Sequence, residues 1–241
     1  MNDAQIRRLM GVCGIAAGVL AAVGVPLYFL YSGAPPASNV LTRILLNLLM
    51  CAALLVFLTG LRHLIRSAGT SFEWLASLTF GAGLAYVTVT LVAASIEAGV
   101  VLERPDGTLD PTVDGPLAHA NMLLHGSVAR LLTAVTLLAA GYAILRSGVL
   151  PRWAGRSAYT VAAVNLAFVP SLFFGTDAAQ FYSAVGWGNT ALTAALLVYW
   201  AFAVGIAVLA RSPRNSHGVT DRRRTGPAPS ASPAAMVHTR A

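Results

Sequence analysis

The sequence predicts an all-α polytopic membrane bundle of six transmembrane helices, and three observations carry that prediction. Charge is scarce: 10% of the 241 residues are charged, 56% are hydrophobic, and the mean hydropathy is +0.69. A soluble domain carries about a quarter charged residues, so this chain cannot cover a water-facing surface and takes the lipid bilayer as its main solvent. Six segments are apolar over the roughly 20 residues a helix needs to cross a hydrocarbon core about 30 Å thick. The arginines between them fall on alternating sides, with few on one face.

The first segment, residues 9–31, follows Arg7 and Arg8. Its apolar run exceeds the core of a signal peptide, about 7–15 residues, so an uncleaved span is expected. Gly14, Gly18 and Ala22 put a small residue at every fourth position. That face admits another helix at close range, and packing within the chain is expected to fill it. The second span, residues 43–62, has Arg43 at its edge and Asn47 one turn on; the third, 74–97, closes on Glu97. The fourth covers 122–146, the fifth 157–176 with Asn165 near its middle, and the sixth 184–210 with Asn189 near its start. Pro26 and Pro170 lie inside spans and mark expected kinks, their freed carbonyls satisfied by neighbours. Cys13 and Cys51 fall near opposite faces, so they are expected to remain unpaired thiols.

Orientation follows from the arginines. With the N-terminus inside, the cytoplasmic flanks hold Arg7, Arg8, Arg62, Arg66, Arg146, Arg152, Arg156, Arg211 and Arg214. The outer connections hold Arg104 with Glu103, Asp106, Asp110, Asp114 and Asp177. This is the positive-inside distribution of a plasma-membrane protein with both termini cytoplasmic. The formal charge of +7 is therefore a topology signal, and no nucleic-acid partner is expected. Residues 1–210 form the membrane domain. Beyond Ala210, "RSPRNSHGVTDRRRTGPAPSASPAAMVHTRA" is rich in Pro, Ser and Arg and too polar to offset ordering entropy, so residues 211–241 read as a disordered cytoplasmic tail.

The stretch "PLAHANMLLHGSVARLL", residues 116–132, gathers His119, Asn121, His125 and Arg130 ahead of an apolar run. "DGPL" supplies a helix start. A continuous helix from there to Arg146 is about 46 Å long at 1.5 Å per residue, longer than the core, which leaves His119 and Asn121 wet and His125 at the boundary. Only Arg130 is clearly submerged. Two accounts of it stand: the side chain snorkels outward, or it pairs with Glu97, which leans into the membrane from the adjacent span. The faces favour pairing. Glu97 shares a stripe with Thr90, Tyr86 and Gly83, and Arg130 shares one with Thr133, Ala134 and Gly141. Small and polar residues mark the bundle side of a span. Glu97, Arg130, His125, Arg43, Asn47 and Asn189 therefore form the candidate outer pocket.

Other chemistries lack their residues. His63 and the pair His119 and His125 are about a membrane thickness apart, which excludes a bis-histidine haem site. A catalytic zinc needs three protein ligands. Ser127 and His125 point to different helix faces, poor geometry for a nucleophilic dyad. Asp106, Asp110 and Asp114 lack the alternate spacing of an EF-hand, and turn chemistry explains them without an ion. No catalytic residue, metal or cofactor is expected. Asn165 is expected to bond between helices.

The turn "SGVLPRWAGR", Ser147 to Arg156, together with "RRLMGVCGIAAG" and the order of spans, resembles an uncharacterised family of bacterial six-span membrane proteins. That family, of actinobacterial type, carries an "LPRWLG"-like cytoplasmic turn. The likeness covers roughly residues 5–212, with Ala154 in place of the usual leucine. It implies the six-span fold and brings no activity. The expectation is a non-enzymatic protein that binds a small ligand for sensing or transport. The alternative is an accessory protein acting on a membrane partner through helix contacts, and a membrane-embedded enzyme is the third reading, behind both.

Overall fold

The computed structural model describes residues 2–31, 33–103, 110–112, 114 and 116–211. The expected disordered tail beyond Arg211 lies outside the described residues. Helix α1 spans Asp3–Gly24 and opens with a capping box, in which Asn2 accepts from the Gln5 N–H and Gln5 accepts from the Asn2 N–H. Pro26 cannot donate to the previous turn, and the helix tightens into a 3₁₀ turn over Val25–Phe29. Extended Pro36 launches α2, Ala37–Arg66, and α3 runs over Glu73–Glu103.

The expected fourth span is broken. Six-residue α4, Ala118–Leu123, passes through a π turn at Leu124–Val128 into α5, Ala129–Ser147. Gly148, left-handed at φ 68°, ends α5 by bonding Ile144 O. Helix α6, Arg152–Phe168, continues as a 3₁₀ turn over Val169–Phe173, where Pro170 interrupts the regular ladder. The expected sixth span is also irregular at its start: a π turn covers Gly188–Leu192, and α7 begins only at Leu196 and runs to Arg211.

Five of these stretches are long and apolar enough to cross a membrane: Asp3–Phe29, Ala37–Arg66, Thr70–Glu103, Ala118–Ser147 and Gly188–Arg211. The α6 stretch is not among them, because Arg156, Ser157, Thr160 and Asn165 dilute its hydropathy. Large apolar side chains face outward along the bundle, among them Val19, Leu45, Leu49, Leu84, Leu131 and Ile206. Water would penalise such a surface, and lipid accepts it.

Neighbouring helices pack in chain order, α1 on α2, α2 on α3, α3 on α5 and α5 on α6, and α7 closes the ring on α1. The closing contact is a glycine seam. A Cβ on Gly14 would meet Ala201 O at 2.7 Å, and one on Gly205 would meet Gly11 O at 2.7 Å. The small-residue face of α1 is thus filled from within the chain, as expected. Phe57, Leu54, Leu61, Leu137, Leu197 and Val204 fill the centre, with Phe57 and Trp200 edge to face at 6.1 Å. Trp200 Nε1 donates to Ala154 O at 3.0 Å, tying α7 to the start of α6. One end of the bundle, the terminal end, carries Asp3 bonded to His63 and Arg66 bonded to Glu73. The opposite end, the loop end, carries Asp110 with Asp114 and the connection from Phe174 to Trp187.

Candidate functional site

Arg43 stands six residues past the start of α2, and Glu97 stands six before the end of α3. Antiparallel packing therefore puts them at one depth. Arg43 Nη2 donates to Glu97 Oε1 at 2.8 Å, with the side chains 4% and 2% exposed. The Tyr28 ring covers the guanidinium at 4.0 Å from centroid to Cζ. Among the described residues this is the single hydrogen bond of Arg43, and its Nε has no acceptor.

The pair forms part of the wall of a cavity of about 300 Å³ between α1, α2, α3 and the α7 side of the bundle. One wall is apolar: Leu20, Ala21, Gly24 and Val25 from the first helix, and Ala191, Ala194, Ala195 and Val198 from the last. The other is mixed: Arg43, Asn47 and Met50 from α2, with Tyr86, Thr90 and Glu97 from α3. Met122 and His125 enter from the broken fourth span, and Thr112, Ala178, Val185 and Trp187 come from the two connections at the loop end. Those connections are held by their own chemistry. Asp110 Oδ1 accepts from the N–H and hydroxyl of Thr112, and Asp114 accepts from the Asp110 N–H. Tyr182 donates to Ala167 O, and Phe168, Phe181 and Trp187 stack edge to face in sequence.

Four of the six candidate residues, Arg43, Asn47, Glu97 and His125, line this one cavity. Arg130 and Asn189 do not. The expected pair of Glu97 with Arg130 is absent, because Glu97 bonds Arg43. Nor does Arg130 snorkel: it is 1% exposed. The kink accounts for it. Gly126 leaves helical geometry, and the Ala129 N–H bonds Gly126 O, three residues back. In an unbroken helix that N–H would bond His125 O. Arg130 leans back along the helix and supplies the missing donor, with Nη2 to His125 O at 2.8 Å and Nε to Gly126 O at 3.3 Å. Nη1 reaches Thr193 Oγ1 at 3.1 Å and Asn165 Oδ1 at 3.4 Å. Asn165 thus bonds between helices as expected. Every one of these acceptors is neutral, and among the described residues no carboxylate pairs with Arg130.

Asn189 belongs to the same seam. It donates to Ser171 Oγ and to Ala184 O, each at 2.9 Å, and Thr193 donates to Asn189 O at 2.8 Å. Ser127 meets Ser171 at 3.4 Å. Three interrupted helices therefore meet through their polar side chains, which is how irregular backbone survives in a membrane interior. His119 is exposed, as expected, but Asn121 is fully buried, and among the described residues neither of its amide atoms has a partner. The expected wet Asn121 is corrected by the packing of α4 on α3.

Tyr28, Thr112 and Trp187 were not anticipated in the wall. Tyr28 had a signal, because Pro26 turns the chain end toward α2; the other two depend on how connections fold. Cys13 and Cys51 are free thiols. Among the described residues, no three His, Cys, Asp or Glu side chains gather as metal ligands. The arrangement can hold an amphipathic molecule and offer it hydrogen bonds at one end. Comparison with known protein families, with curated proteins and with solved structures returns no match for this chain.

Proposed function

We propose that this chain is a six-pass protein of the plasma membrane, non-enzymatic, which binds a small ligand in the loop-end cavity for sensing or transport. The sixth pass is α6 with its 3₁₀ continuation. Its packing on α5 and the bond from Trp200 to Ala154 support that reading. Arg7, Arg8, Arg62, Arg66, Arg146, Arg152, Arg156 and Arg211 all belong to the terminal end, which supports a cytoplasmic location for both termini.

One observation carries the ligand reading: a cavity of about 300 Å³ has a buried ion pair on its wall. Helix bundles otherwise pack to crystal-like density. Ligand sites begin at about this volume and combine an apolar lining with a few placed polar groups. Ionisable residues inside spans mark ligand and ion pathways, because burying them for packing alone is costly. The alternative, action on a partner through Gly14 and Gly18, loses its main support, since α7 occupies that face.

Native mass spectrometry of protein extracted in mild detergent tests the reading. The wild-type chain is expected to carry an added small mass that Ala191→Phe, a change filling the cavity, lacks. Identical spectra for the two proteins contradict it.

A further inference from the structure

The cavity has direction. On α3 its lining runs from Glu97 to Tyr86, about 16 Å along the axis at 1.5 Å per residue. Arg43, Glu97, Tyr28 and Thr112 cluster at the loop end, while Leu20, Ala21, Met50 and Val198 line the deep end. Polarity therefore falls with depth on three sides, with Tyr86 and Thr90 the polar exceptions.

The cavity is also electrically balanced. Among the described residues and apart from His125, the wall residues with a formal charge are Arg43 and Glu97, and they neutralise each other at 2.8 Å; Asp110, whose charge also acts on Glu97, lies outside the lining. The other buried cation, Arg130, lies outside the lining and has neutral acceptors at Nε, Nη1 and Nη2. A ligand with net charge would either bring its own uncompensated charge against a neutral pair or draw one member of the pair from the other, and each leaves a buried charge uncompensated. An uncharged head meets no such obstacle. It accepts from the guanidinium and donates to the carboxylate while the pair stays intact.

Resting on the ligand reading above, we infer that the occupant is an uncharged amphiphile lying along the helix axes. Its polar head sits against Arg43 and Glu97, and its hydrocarbon runs between Leu20, Ala21, Met50 and Val198.

Tryptophan fluorescence titration of the detergent-solubilised full chain tests this, with Trp187 at the cavity mouth as reporter. The probes are octan-1-ol, octanoate and octylammonium, which share one tail. Octan-1-ol is expected to bind the wild type more tightly than either ion by about tenfold or more. Ala191→Phe and Ala194→Phe are two independent blocks, and each is expected to abolish that binding. The preference should then move with the charge. Arg43→Gln is expected to favour octylammonium, and Glu97→Gln to favour octanoate; if one variant fails to accumulate, the other still decides. An ion that binds the wild type better than octan-1-ol, in a manner the blocks abolish, overturns the neutral-ligand inference and leaves the pocket reading standing. Equal response of wild type and both blocked variants to all three probes overturns the pocket reading itself.

Discussion

Arg43 and Glu97, 54 positions apart in sequence, share one hydrogen bond of 2.8 Å inside the helix bundle, each almost wholly buried. The relationship gives the third helix a fixed partner on the second. Removing one member strands the other in a low-dielectric site. Each single change, Arg43→Gln or Glu97→Gln, is expected to cost about 3–5 kcal/mol of stability. The double change should cost less than the sum, and Glu97→Gln should be additive with Arg130→Gln. Thermal unfolding in detergent measures all of these; coupling of Glu97 to Arg130 instead of Arg43 would contradict the structure.

Arg130 caps a broken helix. Arg130→Met is expected to strip His125 O of the guanidinium donor, at about 1–3 kcal/mol for a buried group left unsatisfied, while Gly126 O keeps the Ala129 N–H. Arg130→Lys should rescue little, because a single ammonium cannot reproduce the planar fork that serves three helices. Gly126→Ala should also destabilise, since its Cβ would meet Ala184 O and Asn189 Nδ2 at 3.0 Å. Wild-type stability in all three variants would show that the seam is idle.

The α1–α7 seam has a built-in control. Gly14→Leu or Gly18→Leu is expected to lower the yield of folded protein sharply, because Ala201 O and Phe202 stand where the side chain must go. Gly81→Ala and Gly99→Ala should be neutral or slightly stabilising, since their Cβ atoms meet nothing within 4 Å and alanine favours the helix. Size-exclusion profiles after extraction distinguish the outcomes.

How much of this was legible beforehand depends on whether a feature is local. Helices follow from apolar runs, so their existence and order could be read. The bundle-facing stripe of Gly83, Tyr86, Thr90 and Glu97 follows from 3.6-residue periodicity, and all four are buried. The partner of Glu97 was misread because α2 was expected to enter the membrane at Arg43, whereas it begins at Ala37 and carries Arg43 inward. The break at Gly126 left no local mark: "LLHGSVARLL" reads as ordinary helix, and the kink depends on Ala184 and Asn189 from a distant segment. The same holds for Thr112 and Trp187, whose positions are set by loop hydrogen bonds and aromatic stacking.

Topology has its own test. In a chain freed of Cys13 and Cys51, cysteines at Asp110 and Asp177 are expected to react with a membrane-impermeant maleimide in intact cells. Those at His63 and Pro213 should react only after permeabilisation. Labelling at Pro213 in intact cells contradicts the proposed inside location of both termini.

The central claim is that the loop-end cavity admits a solute, and the thiol reactivity of Ala194→Cys in the same cysteine-free chain tests it most directly. Ala194 lines the cavity, while Ala139 is 5% exposed within the packed core. With a small neutral methanethiosulfonate, Ala194→Cys is expected to react readily and to be protected by octan-1-ol, while Ala139→Cys stays inert. An Ala194→Cys as unreactive as Ala139→Cys would contradict the account.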